Sequence, residues 1–314
     1  MIKNQAVAVN NLLVTGASGF IGPAVVEHFK KLGYSVSRLV RHPEQKGPDA
    51  IYWNPINEEI HPDELEGFHA VIHLAGKNIA AERWTHRVKE EIFLSRVRQT
   101  WLLSHALSRL KRPPKVFFSA SAVGYYGDQG NDILTESSPQ GSGFLADVCK
   151  RWEEASQILD ETGVRVIRAR FGLVLAKEGG LLGQLLPFFK WGLGAQLGSG
   201  KQWMSWIALD DLLRALEFAI LQPQIQGTYN FTSPHPVTNE EFTKTLGRAL
   251  HRPTWRIPEW FLTLLGGQRA KELLLASTRA IPDKLLKSGF EFRTPLISLE
   301  VVAKLALEAK FDDF

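Results

Sequence analysis

The sequence predicts an α/β fold: a doubly wound parallel sheet that carries a smaller C-terminal part. Three observations predict it. Short apolar runs alternate with amphipathic segments from residue 11 to about residue 175. The runs at 69–76 and 114–121 are nearly continuous in apolar residues, as strands covered on both faces must be. A glycine-rich turn, "TGASGFIG", links the first apolar run to the first amphipathic segment.

The elements follow in chain order. "NLLV" is the first strand. After the turn, Ala24, Val25, Phe29 and Leu32 recur at helical spacing, and Gly33 stops that helix. "YSVSRLVR" is the second strand and "HAVIHLAG" (69–76) the next. A long helical segment covers 85–110, "PKVFFSAS" (114–121) is a strand, and 143–161 is a helix. "VRVIRARFGLVL" (164–175) is a strand running into a loop. From 176 glycine and aromatic residues dominate, which reads as a short helix and a loop over a cleft. "IALDDLLRALEFAILQ" returns to an amphipathic helix, and "GTYNFTS" (227–233) adds a sheet strand. "VTNEEFTKTLGRAL" is a helix with Thr238 or Asn239 near its N-cap. The chain thus divides into a nucleotide-binding domain over 1–175, to which 206–233 returns, and a smaller substrate or lid part over 176–205 and 234–314.

Composition narrows the function classes. The 314 residues are 44% hydrophobic and 22% charged, which suits a soluble globular protein with a sizeable core. The net charge is +4, with basic residues scattered among acidic ones, so no nucleic-acid partner is expected. A single Cys rules out an internal disulfide and fits a reducing compartment. The first residues lack a long apolar stretch, and no run approaches the ~18 apolar residues of a membrane span. The expectation is a cytoplasmic protein with no membrane partner. Of the nine His residues only His69 and His73 stand at the spacing H-x-x-x-H, and they fall in an apolar strand rather than on a helix; no Cys/His clustering accompanies them, so no metal is expected.

Gly16, Gly19 and Gly22 lie at the spacing G-x-x-G-x-x-G between a strand and a helix, with Ser18, Phe20 and Ile21 in the same loop. A side chain there would obstruct the tight turn or a pyrophosphate seated on the helix N-terminus. The competing reading is a structural turn with no ligand. The end of the second strand selects the cofactor. An acidic residue there would bind the adenosine ribose, but Val40 and Arg41 stand there instead. Arg41, helped by Arg38, can pair with a 2′-phosphate, which favours NADP over NAD. Leu74, Ala75 and Gly76 form a small-residue turn at the next strand end, beside the ribose or pyrophosphate. Together these features describe a Rossmann-type dinucleotide site.

The motifs "TGASGFIG", "HLAG", "SAS" before "YYG", and "PVTNEEF" resemble the extended short-chain dehydrogenase/reductase superfamily. "RWTHRVKEEIFLSRVRQT", "SAVGYYGD", "LTESSPQGSGFLADVCKRWEEA", "GLGAQLGSGKQWMSWIALDDL" and "IPDKLLKSGFEF" are similar to its atypical "epimerase family" along nearly the whole chain. The resemblance implies a distinctive C-terminal domain starting near residue 260. It also implies a strand-end Ser that orients the substrate oxygen. A helix Tyr would move the proton, and a Lys four residues on would lower the Tyr pKa. Ser121 fits the Ser role, with Ser119 as competitor and a turn serine as the plain alternative. The helix departs from the pattern: Leu145 stands at the Tyr position and Cys149 at the Lys position. Leu145, Val148, Trp152, Ala155 and Leu159 form one apolar stripe, so Leu145 reads as packing. Cys149 reads as a small buried hydrophobe or, in an electropositive setting, as a reactive thiolate. Lys150 would point about 100° away.

The proton therefore falls to Tyr125 or Tyr126 on the "GYYGD" turn, unless both only pack that turn. Asp128 is an acid candidate or a turn former. Arg96, where the superfamily has an Asn, is a candidate for cofactor phosphate or an acidic substrate, and Glu91 is a weaker neighbour. Both read equally well as surface charges of a helix. Arg170, Gly172 and Val174 end the sixth strand, where nicotinamide or substrate would be held. Trp203, Trp206, Lys190 and Lys201 fall in the lid, and His73 reads as a core histidine. By the same resemblance, segments 86–110 and 143–161 could form a homodimer. Two functions compete. One is an NADP-dependent oxidoreductase or epimerase-like enzyme for a small polar carbonyl or carbinol substrate, nucleotide sugars being the superfamily's usual ones. The other is a non-catalytic NADP(H)-binding sensor or scaffold, which the missing Tyr–Lys pair supports.

Overall fold

The computed structural model describes residues 11–55, 57, 60–176, 179–298 and 301. The N-terminal stretch 1–10 and the end of the smaller part, 302–314, lie outside them. Seven strands form the central sheet: β1 (Asn11–Thr15), β2 (Ser35–Val40), β3 (Ala50–Tyr52), β4 (Ala70–His73), β5 (Val116–Ala122), β6 (Arg165–Phe171) and β7 (Gly227–Phe231). Their order is β7-β6-β5-β4-β1-β2-β3, and every pairing is parallel. Parallel neighbours need crossovers, and the helices supply them. These are α1 (Gly22–Lys31), α2 (His86–Phe93), α3 (Gln99–Ser108), α4 (Phe144–Glu154), α5 (Gly180–Lys190), α6 (Leu209–Leu221), α7 (Asn239–Ala249), α8 (Glu259–Ala270) and α9 (Asp283–Lys287).

Alternate strand residues bury into opposite faces. Leu12 and Val14 of β1 join Val25 and Phe29 of α1 and Leu212 and Leu216 of α6. Leu13 points the other way, into a cluster with Leu103, Leu107 and Leu159. From β1 the chain winds to β2 and β3, and from β4 to β5, β6 and β7. The strand order reverses between β1 and β4, and the crevice beyond their C-terminal ends is where such sheets bind ligands.

The structure differs from the sequence-based elements in four places. Strand β3 has only three residues, too few to show a period. The segment 85–110 is broken by a π-turn at Leu94–Arg98 between α2 and α3, a feature frequent at functional sites. Helix α4 ends at Glu154 and a 3₁₀ turn follows at Gln157–Glu161. The run 164–175 divides at Gly172, where a Cβ would lie 2.8 Å from the Ser205 carbonyl oxygen. Beyond it, Leu173–Leu175 leaves the main sheet and pairs with Trp206–Ala208.

The smaller part packs Leu182, Leu186 and Phe189 of α5 against Phe242 and Leu246 of α7. Its residues also return to the sheet's loops: Arg279–Ala280 pairs with Ile133–Leu134. Among the described residues no helix is long and apolar enough to cross a membrane.

Candidate functional site

The glycine turn closes β1 against β4. Gly16 has φ +69°, and a Cβ on it would lie 2.8 Å from the Ala75 nitrogen and the Leu74 carbonyl carbon. A Cβ on Gly22 would lie 2.2 Å from the Gly16 oxygen. Gly19 is different, since its Cβ would meet only the Gly16 oxygen at 3.3 Å. The fold therefore requires Gly16 and Gly22, while the smallness of Gly19 serves the open side of the loop. Thr15 Oγ1 accepts from the Leu74 and Ala75 amides at 3.2 and 3.3 Å and bonds His73 Nδ1 at 2.7 Å. His73 Nε2 reaches Thr100 Oγ1 at 2.9 Å, and burial pushes the imidazole pKa down to about 3. His73 is thus a neutral core histidine that pins the two strand ends.

Helix α1 begins without a side-chain cap at Ile21 and with no acidic residue in its first turn. Its amides and dipole are left for an anion. Ser18 is exposed, and the Phe20 ring lies under the start of α5, where a Cβ on Gly179 or Gly180 would come within 2.6 or 2.7 Å of it. At the end of β2, Arg38 Nε is buried without a hydrogen-bond partner, and its Nη2 is 3.9 Å from Asp49. Arg38 lines an open cleft of about 630 Å³ with Ala17, Pro23, Lys30 and Lys31. Val40 closes β2, its carbonyl accepting from the Trp53 amide at 2.8 Å. Arg41 follows, exposed and unpaired among the described residues.

Arg96 sits in the π-turn. A Cβ on Gly76 would lie 3.2 Å from its Cζ, and the guanidinium packs 5.2 Å from the Trp152 ring centre. Its hydrogen bonds are long, 3.5 Å to the Ile92 carbonyl and 3.4 Å to Ser95 Oγ, and burial lowers its pKa. No described carboxylate pairs with it. Glu91 points elsewhere, to Lys77 and Arg87, and the Lys77 hydrogen bond holds its carboxyl below the usual range. Val174 is buried in the short strand that follows β6 and pairs with Trp206–Ala208.

Helix α4 presents Leu145 and Cys149, both buried. Burial, and then the Glu153 charge, push the Cys149 thiol up to about 12, so it is a packed thiol. In the native protein it should resist iodoacetamide at pH 8 on a timescale that fully alkylates free cysteine, and become reactive in urea. Rapid native alkylation, read by mass spectrometry, would contradict this burial.

One turn beyond Cys149 stands a carboxylate that the sequence did not reveal. Ser121 Oγ donates to Glu153 Oε1 at 2.8 Å. Arg170 grips the same carboxylate in a fork, Nε to Oε1 and Nη2 to Oε2, both 2.8 Å. Burial opposes the guanidinium charge, yet the Glu153 bond and charge raise its pKa. Arg170 Nη1 donates to the Tyr126 hydroxyl at 2.9 Å, and that hydroxyl also lies 2.7 Å from Asn230 Oδ1 and 2.9 Å from the Thr135 carbonyl. Burial pushes the Tyr126 phenol up to about 12. Tyr125 differs. Its ring stacks 3.4 Å from Arg170 Cζ, and among the described residues its hydroxyl has no hydrogen-bond partner.

Ser119 bonds only its neighbour's carbonyl, at 3.4 Å. Asp128 accepts from the Gly130 and Ser277 amides, which is a turn role. Glu272, also unmarked in the sequence, caps α4 by accepting from the Phe144 and Leu145 amides at 3.1 and 2.8 Å. In the lid, Trp206 is buried with its Nε1 on the His235 carbonyl, Arg279 covers Trp203, and Lys190 and Lys201 are exposed. Among the described residues no three His, Cys, Asp or Glu side chains group as metal ligands.

Comparison with known proteins places these features in context. The model of the NAD dependent epimerase/dehydratase family matches residues 12–231, and a domain of unknown function matches residues 257–298. Epimerase family protein Mb2239 of Mycobacterium bovis is 42% identical over 89% of this chain and 92% of its own length. The crystal structure of human epimerase family protein SDR39U1 with NADPH superposes with a TM-score of 0.85 at 31% identity, over 94% of this chain and 99% of that one. A nucleoside-diphosphate sugar epimerase from Corynebacterium glutamicum superposes with a TM-score of 0.77 at 33% identity, over 94% of this chain and 58% of that longer one.

Proposed function

This chain belongs to the NAD dependent epimerase/dehydratase family, and from that premise we propose an NADP-dependent oxidoreductase or epimerase-like enzyme. Its substrate would be small and polar with a carbonyl or carbinol carbon, nucleotide sugars being the first class to test. The observation that carries the reading is the cradle of Gly16, Gly19 and Gly22 at the uncapped start of α1, closed against Leu74 and Ala75. The orphaned Arg38 Nε and the unpaired Arg41 suit a 2′-phosphate, as does the NADPH carried by the human relative.

Residues Ser18 to Gly22 would hold the diphosphate, and Arg38 and Arg41 the 2′-phosphate. Leu74 to Gly76, Arg96 and Val174 would line the remaining wall, Glu91 fixing Lys77 behind it. The bound nicotinamide supplies hydride exchange at a carbinol carbon. The chain's own part is to bind and orient. Ser121 meets the substrate oxygen, and Tyr125, whose phenol is free, handles the proton. Tyr126, buried and hydrogen-bonded on all sides, supports Arg170. The single buried Cys149 suits a reducing compartment such as the cytoplasm.

NADPH and NADH titrations followed by nicotinamide fluorescence test the cofactor choice. NADPH should bind about tenfold or more tightly than NADH, and Arg41→Ala should remove most of that difference while sparing NADH. Equal affinities would refute the 2′-phosphate assignment. A second reading, a sensor without turnover, is favoured by the apolar Leu145 and Cys149 on α4.

A further inference from the structure

The buried group Ser121–Glu153–Arg170 is absorbed by neither the cofactor cradle nor the core. Its side chains are nearly sealed: Arg170 is 4% and Glu153 10% exposed, and Ser121 is 3% exposed. A serine hydroxyl has one proton and two lone pairs. Here the proton goes to Glu153, and a hydrogen bond to a carboxylate is roughly twice as strong as one between neutral groups. The Arg170 fork binds both Glu153 oxygens and so fixes the carboxylate in place beside Ser121. Register fixes the arrangement: Ser121 of β5 lies directly beside Arg170 of β6, and α4 lays Glu153 across both.

We propose that Glu153 is the positioning residue of this site: it commits the Ser121 proton, so that Ser121 offers only lone pairs and receives the substrate oxygen as a hydroxyl group. This rests on the reading of the site as one for a carbonyl or carbinol substrate. It narrows that reading: the bound form is the alcohol, because a bare carbonyl would set lone pair against lone pair. The amide that Glu153→Gln introduces can itself donate to Ser121. That frees the serine proton for a carbonyl.

The experiment uses the full chain loaded with tetrahydro-NADP, a redox-inert analogue of NADPH, and reads ligand binding by saturation-transfer NMR. The probes are the pairs 1,2-propanediol with hydroxyacetone and UDP-6-deoxyglucose with UDP-4-keto-6-deoxyglucose. The wild type should favour the alcohol of at least one pair by about tenfold. Glu153→Gln should abolish or reverse that preference, a change that mere structural support would not produce. Should Glu153→Gln not fold, Ser121→Ala, which leaves the ion pair in place, decides: it should erase the preference. A wild-type preference for carbonyls, binding of neither form, or an unchanged preference in the folded variant overturns the inference. Failure of the wild type to bind tetrahydro-NADP would instead sink the cofactor assignment.

Discussion

Gly22→Ala should abolish NADPH binding and destabilise the domain by about 3 kcal/mol or more. Helix propensity alone argues the reverse, since alanine is favoured over glycine by about 1 kcal/mol inside a helix. Packing decides. The new methyl would stand 2.2 Å from the Gly16 oxygen and 2.6 Å from Ala17 Cα, both backbone atoms that cannot turn aside as a side chain would. Relief requires opening the turn, which is the proposed phosphate cradle. Gly19→Ala is the internal control. Its methyl touches one oxygen at 3.3 Å, so the fold should survive with a melting temperature within a few degrees of the parent, while NADPH binding weakens. Thermal melts with fluorescence titration separate the two. Equal loss of stability in both variants would mean that the loop is held for packing alone.

Arg170→Met should cost about 3–5 kcal/mol, the usual penalty for stranding one member of a buried ion pair. Among the described residues Glu153 would be left with Ser121 as its side-chain donor, and the Tyr126 hydroxyl would lose its cationic partner. Tyr125 would also lose the surface on which its ring stacks. The double variant Arg170→Met with Glu153→Gln removes both charges and should recover more than half of the loss. Urea unfolding of the four proteins forms a double-mutant cycle. Additive single effects would show that the fork contributes nothing as a pair.

The sheet and its glycine turn were legible because their signals are local. Gly16, Gly19 and Gly22 sit within one turn, the apolar runs mark the strands, and Arg41 follows β2 directly. Leu145 was legible as packing from a single stripe, whereas the choice between a packed and a reactive Cys149 needed its burial. What escaped the sequence depends on distant partners. Glu153 looks like one more helix-surface charge, and only folding brings it to Ser121, 32 positions away, and Arg170, 17 positions away. Glu272 caps a helix 128 positions earlier. The π-turn that carries Arg96 has no residue signature, because its extra backbone residue is fixed by packing. The two adjacent tyrosines are alike in sequence. Burial separates them, locking Tyr126 into hydrogen bonds and leaving Tyr125 free.

The central claim is that a nicotinamide held by the glycine cradle meets its proton-handling groups on the Ser121 and Tyr125 side of the crevice rather than on α4. A crystal structure of the full chain with NADPH tests it directly. The account predicts the diphosphate on the first turn of α1. It also predicts Ser121 Oγ or the Tyr125 hydroxyl within hydrogen-bond reach, about 3 Å, of an oxygen placed over nicotinamide C4. A nicotinamide turned out of the crevice, or a space over C4 faced only by Leu145, Cys149 and other groups without an exchangeable proton in reach, would contradict it.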